Sequence, residues 1–162
     1  MSNSPSHART LALDVGDKRI GIAITDELGL TARPLFTLHR TSLRADLKSI
    51  ARFIRQHKVE VLVIGSPLHA DGSASPQAAK TQAFADALRE AHPTLQHHLL
   101  DERLTTREAH ALLDESGRIA RSTGHAARID RQNLIDQVAA VLILESYLAK
   151  DGPTLLPDPD RA

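Results

Sequence analysis

Cysteine is absent from this sequence, which excludes disulfides and thiolate-held zinc and is compatible with a reducing compartment. Tryptophan is also absent, there is one tyrosine, and aromatics make up 2% of the chain. A base-stacking platform of the single-strand-binding kind is therefore not expected. No apolar run is long enough to span a bilayer. The opening Met-Ser-Asn-Ser-Pro-Ser-His carries no apolar stretch of the secretory type, so a cytoplasmic protein with no membrane partner is expected. Charge of one sign is not in excess either. The formal net charge is zero, which counts mildly against a general nucleic-acid binder and leaves the question to local clusters.

What is present suits a globular protein. The chain has 162 residues, 41% hydrophobic and 25% charged, enough for one domain with its own core. Residues 1–9 are polar and read as a disordered segment, 10–150 as the folded domain, and 151–162, with Pro153, Pro157 and Pro159 among aspartates, as a flexible tail.

Thr10 to Val15 reads as a strand, Gly16-Asp17-Lys18 as a turn, and Arg19 to Thr25 as a second strand hairpinned to the first. Thr31 to Leu38 gives a third strand, with Pro34 pointing to a sheet edge. Ser42 caps a helix to about His57, with Leu43, Leu47, Ile50 and Ile54 as its apolar stripe. Val59 to Ile64 is a continuous apolar run, as in a buried parallel strand. Ser75-Pro76 starts a helix that reaches about Ala91, and Leu95 to Leu100 is a further strand. Thr105 and Glu108 form a capping-box pattern for a helix ending near Gly117. Residues 116 to 131 read as irregular, and Leu134 to Ala149 as an apolar helix. The order predicts an α/β fold: a mixed five-stranded sheet flanked by helices, with any site at the carboxyl ends of its strands.

Acids stand out against this frame. Asp14 lies among Leu11, Ala12, Leu13 and Val15 at a strand's carboxyl end, where a carboxylate needs a metal, a hydrogen bond or a cation. Capping of the Gly16 turn explains it equally well. Asp101 and Glu102 follow the last strand, and alternation lets at most one of them share a centre with Asp14. Arg103 is placed to pair with phosphate or with one of these acids, and a structural ion pair serves the tripeptide as well. Asp136 sits on the helical face of Ala139, Ala140, Ile143 and Tyr147, which should press on the sheet. The alternative makes Asn133 an N-cap and Asp136 an early-turn acid. Acids from three elements meeting at one sheet edge suit hard divalent cations, which serve phosphodiester hydrolysis.

The motifs resemble a known family in order and in kind. Leu-Ala-Leu-Asp14-Val-Gly-Asp-Lys-Arg-Ile-Gly-Ile-Ala is similar to the first motif of the YqgF/RuvX family of Holliday-junction-resolvase-like, pre-16S ribosomal RNA nucleases. Gly65-Ser-Pro-Leu-His-Ala-Asp71-Gly72-Ser resembles its second motif, Asp101-Glu102-Arg103-Leu-Thr-Thr its third, and Asp136-Gln-Val-Ala-Ala-Val-Leu-Ile-Leu-Glu-Ser-Tyr-Leu its last. The resemblance spans residues 10 to 149. It implies a ribonuclease H-like fold, a role in maturing the 5′ end of 16S ribosomal RNA, and Asp14, Glu102 and Asp136 as catalytic acids that bind Mg²⁺ or Mn²⁺. Ser66 stands where the family usually has a bulky apolar residue, and the segment 116 to 135 is long and arginine-rich. Both departures bear on substrate contacts more than on chemistry.

Lys18, Arg19 and Arg103, with Arg118, Arg121 and Arg128 of the irregular segment, are the expected nucleic-acid contacts. Arg131 belongs to the same cluster. Arg44, Lys48, Arg52 and Arg55 share a helical face that could also neutralise phosphates, but an ordinary solvated surface is its favoured reading. His97 and His98 alternate on a strand and are read as structural or surface residues. RNA is the expected partner of a monomer or homodimer. Three other readings stand beside it. A resolvase of branched DNA would need a dimer to make symmetric cuts. A phosphate-loop protein of the actin and sugar-kinase type would need a second lobe for which this chain is too short. A binding module without activity is countered by the presence of all three acids.

Overall fold

Strand β1 (Thr10–Val15) alternates its side chains between two helical layers, and that alternation organises the whole molecule. The computed structural model describes residues 8–66, 76–101 and 125–150. In it, β1 pairs antiparallel with β2 (Arg19–Thr25), which pairs antiparallel with β3 (Ala32–His39). Helix α1 (Leu43–His57) then crosses to β4 (Val61–Ser66), parallel to β1. Helix α2 (Pro76–Ala91) crosses to β5 (Gln96–Asp101), parallel to β4. Helix α3 (His125–Lys150) is the last described element. The sheet order is β3-β2-β1-β4-β5, the expected mixed five-stranded sheet.

Leu11, Leu13, Val15, Ile20, Ile22, Leu62 and Ile64 bury one sheet face against Ile50 and Ile54 of α1 and Phe84 and Leu88 of α2. Ala12, Ala23, Val61 and Val63 bury the other against Ala140, Ile143, Leu144 and Tyr147 of α3. Each fully buried large side chain contributes about 1.5–3 kcal/mol relative to exposure. The α3 face of the inner strands is small-residued, so this helix lies close to the sheet.

Local signals behave as their chemistry requires. The Ser42 hydroxyl accepts from the Ala45 amide at 3.1 Å and caps α1. Pro76 opens α2, where its missing N–H costs nothing. Pro34 lies in edge strand β3, beside a register shift between Ile22 and Ala23. His97 and His98 are structural, as expected: His97 Nε2 lies 2.8 Å from the His92 carbonyl, and the His98 ring tilts on Tyr147 with centroids 5.1 Å apart.

Three expectations need correction. Leu43 is 48% exposed, so the core stripe of α1 begins lower, at Asp46, Ile50 and Ile54. Residues 125 to 131 are helical rather than irregular, because α3 starts at His125. Asn133 is therefore inside the helix, and Asp136 is not an early-turn acid held by the helix dipole. The expected helix at Thr105 to Gly117 lies outside the described residues, as do the two terminal segments. Among the described residues, no helix is long and apolar enough to cross a membrane.

Candidate active site

Asp14 is the next residue after Ala12 on the α3 side of β1, near the strand's carboxyl end. It is half-buried and lies in register with Gly21 of β2. The missing side chain at Gly21 decides what stands opposite. A Cβ built there would fall well inside contact distance of the Asp136 carbonyl oxygen. Only glycine lets the α3 backbone come down on β2 at this point. That approach sets the base of the Asp136 side chain beside the strand that pairs with Asp14.

Asp136 is held on both oxygens. Arg19 Nε donates to Oδ2 at 2.8 Å, and Gln132 Nε2 donates to Oδ1 at 3.2 Å. The side chain is 16% exposed. Its register on α3 is pinned one turn earlier: Thr37 Oγ1 donates to the Asn133 carbonyl at 2.9 Å and accepts from Gln137 Nε2 at 3.1 Å.

Asp14, Gly16, Asp17, Lys18, Arg19 and Asp136 line one cavity of about 250 Å³. It opens at the carboxyl end of β1, where sites in such sheets form. Asp17 is turned toward α2, where Lys80 Nζ lies 3.1 Å from its Oδ1 on the open surface. Lys18 is exposed at the rim.

The β1–β2 turn is braced from beneath by residues that sequence reasoning missed. Gly16 N donates to the Arg19 carbonyl at 2.9 Å and closes the turn. Arg40 Nη1 donates to the Gly16 carbonyl at 2.8 Å, while its Nε donates to Asp46 Oδ2 at 2.9 Å. Gln77 Nε2 donates to the Val15 carbonyl at 3.2 Å. Asp46 is 2% exposed, and the Arg40 guanidinium also sits 5.2 Å from the Phe84 ring centre. A signal was available for Asp46: it shares its helical face with Ile50 and Ile54, the same anomaly that singles out Asp136.

The structure thus brings Asp14, Lys18, Arg19 and Asp136 to one cavity. Glu102, Arg103, Arg118 and Arg121 lie outside the described residues, and Arg128 is placed only by its helical backbone. Strand β5 runs parallel to β4 and β1, so its end at Asp101 comes to the same sheet edge, with β4 between. Among the described residues no three acids or histidines gather as a metal-holding group.

Comparison with known proteins places the chain among named relatives. A curated relative from Myxococcus xanthus, named "Putative pre-16S rRNA nuclease", is 41% identical over 152 residues, covering 94% of this chain and 93% of that protein. Another of that name, from Carboxydothermus hydrogenoformans, is 43% identical over 140 residues, covering 86% and 95%. Among solved structures, Thermus thermophilus RuvC in complex with a Holliday junction substrate superposes with a TM-score of 0.52 at 11% identity, covering 89% of this chain and 97% of that one. That likeness concerns the fold, which is ribonuclease H-like. The family model described as "RuvX: Holliday junction resolvase" matches residues 8–150, the span that holds the sheet, α3 and the cavity between them, and the chain belongs to that family.

Proposed function

We propose that this protein is a hydrolase: a metal-dependent nuclease that cleaves RNA phosphodiesters in maturing the 5′ end of pre-16S ribosomal RNA, with Asp14, Glu102 and Asp136 as its catalytic acids. The observation that carries the reading is the shared cavity of Asp14 and Asp136 at the carboxyl end of β1. The names of the relatives supply the substrate. Glu102 takes its role from the resemblance of Asp101-Glu102-Arg103-Leu-Thr-Thr to the family's third motif.

The donor set fits a hard divalent cation. It offers carboxylate oxygens and neither thiolate nor imidazole, as Mg²⁺ and Mn²⁺ prefer. Held by Asp14, Glu102 and Asp136, such an ion would supply an activated water and stabilise the leaving oxygen. The chain's own residues do the rest. Lys18 at the rim offers an ammonium to the phosphate approaching the cavity. Arg19 neutralises Asp136 until an ion takes that oxygen. The Arg40 and Gln77 contacts fix the turn that carries these cations. Arg103, Arg118, Arg121 and Arg128 are the proposed contacts to more distant phosphates. The protein works in the cytoplasm, where ribosomal RNA precursors are processed.

The test is incubation of the purified protein with a pre-16S ribosomal RNA fragment, a four-way DNA junction and ATP, each with Mg²⁺, Mn²⁺ or EDTA. RNA cleavage that needs the divalent ion and falls roughly 10³-fold or more in Asp14→Asn and Asp136→Asn is expected. Cleavage in EDTA overturns the three-acid mechanism. The family description favours one second reading, a resolvase of branched DNA. Symmetric cuts in the junction by a dimer, with RNA untouched, would establish that reading instead.

A further inference from the structure

Helix α1 carries a face of one charge sign that the cavity does not use. Arg44, Lys48, Arg52 and Arg55 are all exposed, on the side opposite the buried Asp46, Ile50 and Ile54. Asp46 is the only acid in the helix, and it is buried against Arg40. None of the four takes part in an ion pair among the described residues. A helix face kept merely soluble usually alternates signs, because acid–base pairs at i and i+4 stabilise it. Here Arg44/Lys48 and Lys48/Arg52 are like-charge pairs at i and i+4, and Arg52/Arg55 is one at i and i+3. Arg44 also sits in the first turn, where the helix dipole disfavours a cation, whereas Arg55 in the last turn is favoured. Three of the four are thus held against local stability in a chain whose net charge is zero.

The placement of this face is as informative as its charge. Strand β3 ends at His39 beside Arg19, the first residue of β2, so α1 starts at the cavity end of the sheet. Arg40 N donates to the Lys18 carbonyl at 2.9 Å, which ties the entry to α1 to the cavity rim. From Arg44 the row descends about 17 Å along the side of the molecule to Arg55. The row Arg44, Lys48, Arg52 and Arg55 therefore begins at the same end of the sheet as Lys18, in the layer across the sheet from α3, and leads away from that end.

We propose that this α1 face is a second nucleic-acid surface, which holds the phosphate backbone of an RNA strand or duplex arm outside the cleavage cavity. It rests on the reading of the protein as an RNA nuclease and adds where the rest of the substrate lies. All four side chains end in cations that pair with phosphates, and phosphate contacts are independent of sequence. Its signature is salt dependence. Removing one cation that neutralises a phosphate lowers the slope of log affinity against log salt by about 0.9.

The test is titration of a mixed-sequence RNA duplex against the full chain at several salt concentrations, with the wild type, Arg44→Gln/Lys48→Gln/Arg52→Gln/Arg55→Gln and the half-variant Arg52→Gln/Arg55→Gln. Arg89→Gln on α2 serves as charge control. Expected is a salt slope smaller by about 3.6 in the fourfold variant and by about half of that in the half-variant, with affinity at low salt down roughly tenfold or more. The control should bind as the wild type does. Melting temperatures should hold or rise, since like-charge repulsion is removed, and the half-variant decides if the fourfold one does not fold. An unchanged slope, or a wild type that binds no RNA, overturns the proposal. Displacement of RNA by polyglutamate at equal charge concentration also overturns it, by making the surface a site for acidic protein. Cleavage is scored separately. Stripe-dependent binding without cleavage leaves this surface standing and removes the nuclease reading, and cleavage with stripe-independent binding does the reverse.

Discussion

Arg19 Nε stands 2.8 Å from Asp136 Oδ2, and a strand's first residue thereby neutralises an acid in the middle of the last helix. The guanidinium occupies one of the oxygens that a divalent cation would use. In the proposed enzyme Arg19 and the metal compete for Asp136. The pair is 29% and 16% exposed, so it is worth no more than about 1 kcal/mol. Arg19→Gln should lower the melting temperature of the metal-free protein by roughly 2–4 °C. It should also tighten Mn²⁺ binding by about fivefold, the same energy expressed as affinity. Calorimetric melting in EDTA and Mn²⁺ titration check both. Weaker Mn²⁺ binding in the variant would show that Arg19 supports the metal site instead of opposing it.

Gly21→Ala tests the close approach of α3 to β2. The new methyl meets the Asp136 backbone, which cannot swing aside as a side chain would. Overpacking of this kind costs about 1–3 kcal/mol. Displacement of Asp136 should cost cleavage up to roughly 10²-fold per ångström. Thermal melting and the RNA cleavage assay should fall together. A variant that melts and cleaves like the wild type would show that α3 is not held there.

Arg40→Ala should be more damaging than any other single arginine change among the described residues. It leaves the Asp46 carboxylate, 2% exposed, without its cation and frees the Gly16 carbonyl. A loss of about 2–4 kcal/mol is expected, short of the full value for a wholly buried pair because Arg40 is itself 22% exposed. Arg40→Met with Asp46→Leu should recover much of that stability, since no charge is then stranded. Cleavage should stay low in the double variant, whose turn still lacks its brace. Urea unfolding measures the first effect and the RNA assay the second.

Acid should weaken the fold in two steps. His57 is held below its ordinary value by burial and by the charges of Arg9 and Arg33. His92 is held below it by burial and by His97. A histidine with a lowered folded value is protonated first in the unfolded chain, so stability is lost as pH falls below about 6.5. At Asp26, burial alone raises the value, but hydrogen bonds from the Leu30 and Thr31 amides and the charge of Arg33 outweigh it and hold the carboxyl low. Its contribution is present above the unfolded value of 3.8 and disappears as pH drops through the folded one. Melting temperature against pH should therefore decline below 6.5 and again below 3.8. His57→Gln with His92→Gln should flatten the first decline, and Asp26→Asn the second.

Local chemistry made most of the architecture readable. The unbroken apolar run of β4, the Ser42 cap, Pro76 at a helix start and Pro34 at an edge each act within a few residues, so each announced its element. The start of α3 was not readable. His125 to Arg131 has no apolar stripe, yet alanine and arginine are good helix formers and continue the apolar helix upstream. Without those residues in the helix, Asn133 looks like its cap.

The sequence by itself determined which side chains carry charge into apolar surroundings, Asp14 on its strand and Asp136 on its helix, because strand and helix periods decide faces without knowledge of the partner. Only the tertiary structure decided what those charges meet. Arg19 with Asp136, Arg40 with Gly16 and Asp46, and the Gly21 notch beneath α3 depend on how β2, α1 and α3 pack. Apart from Arg40 with Asp46, six residues apart, these contacts join distant parts of the chain. No local propensity encodes such a pairing, since distant hydrogen bonds form only once burial of the sheet's two apolar faces has brought their elements together.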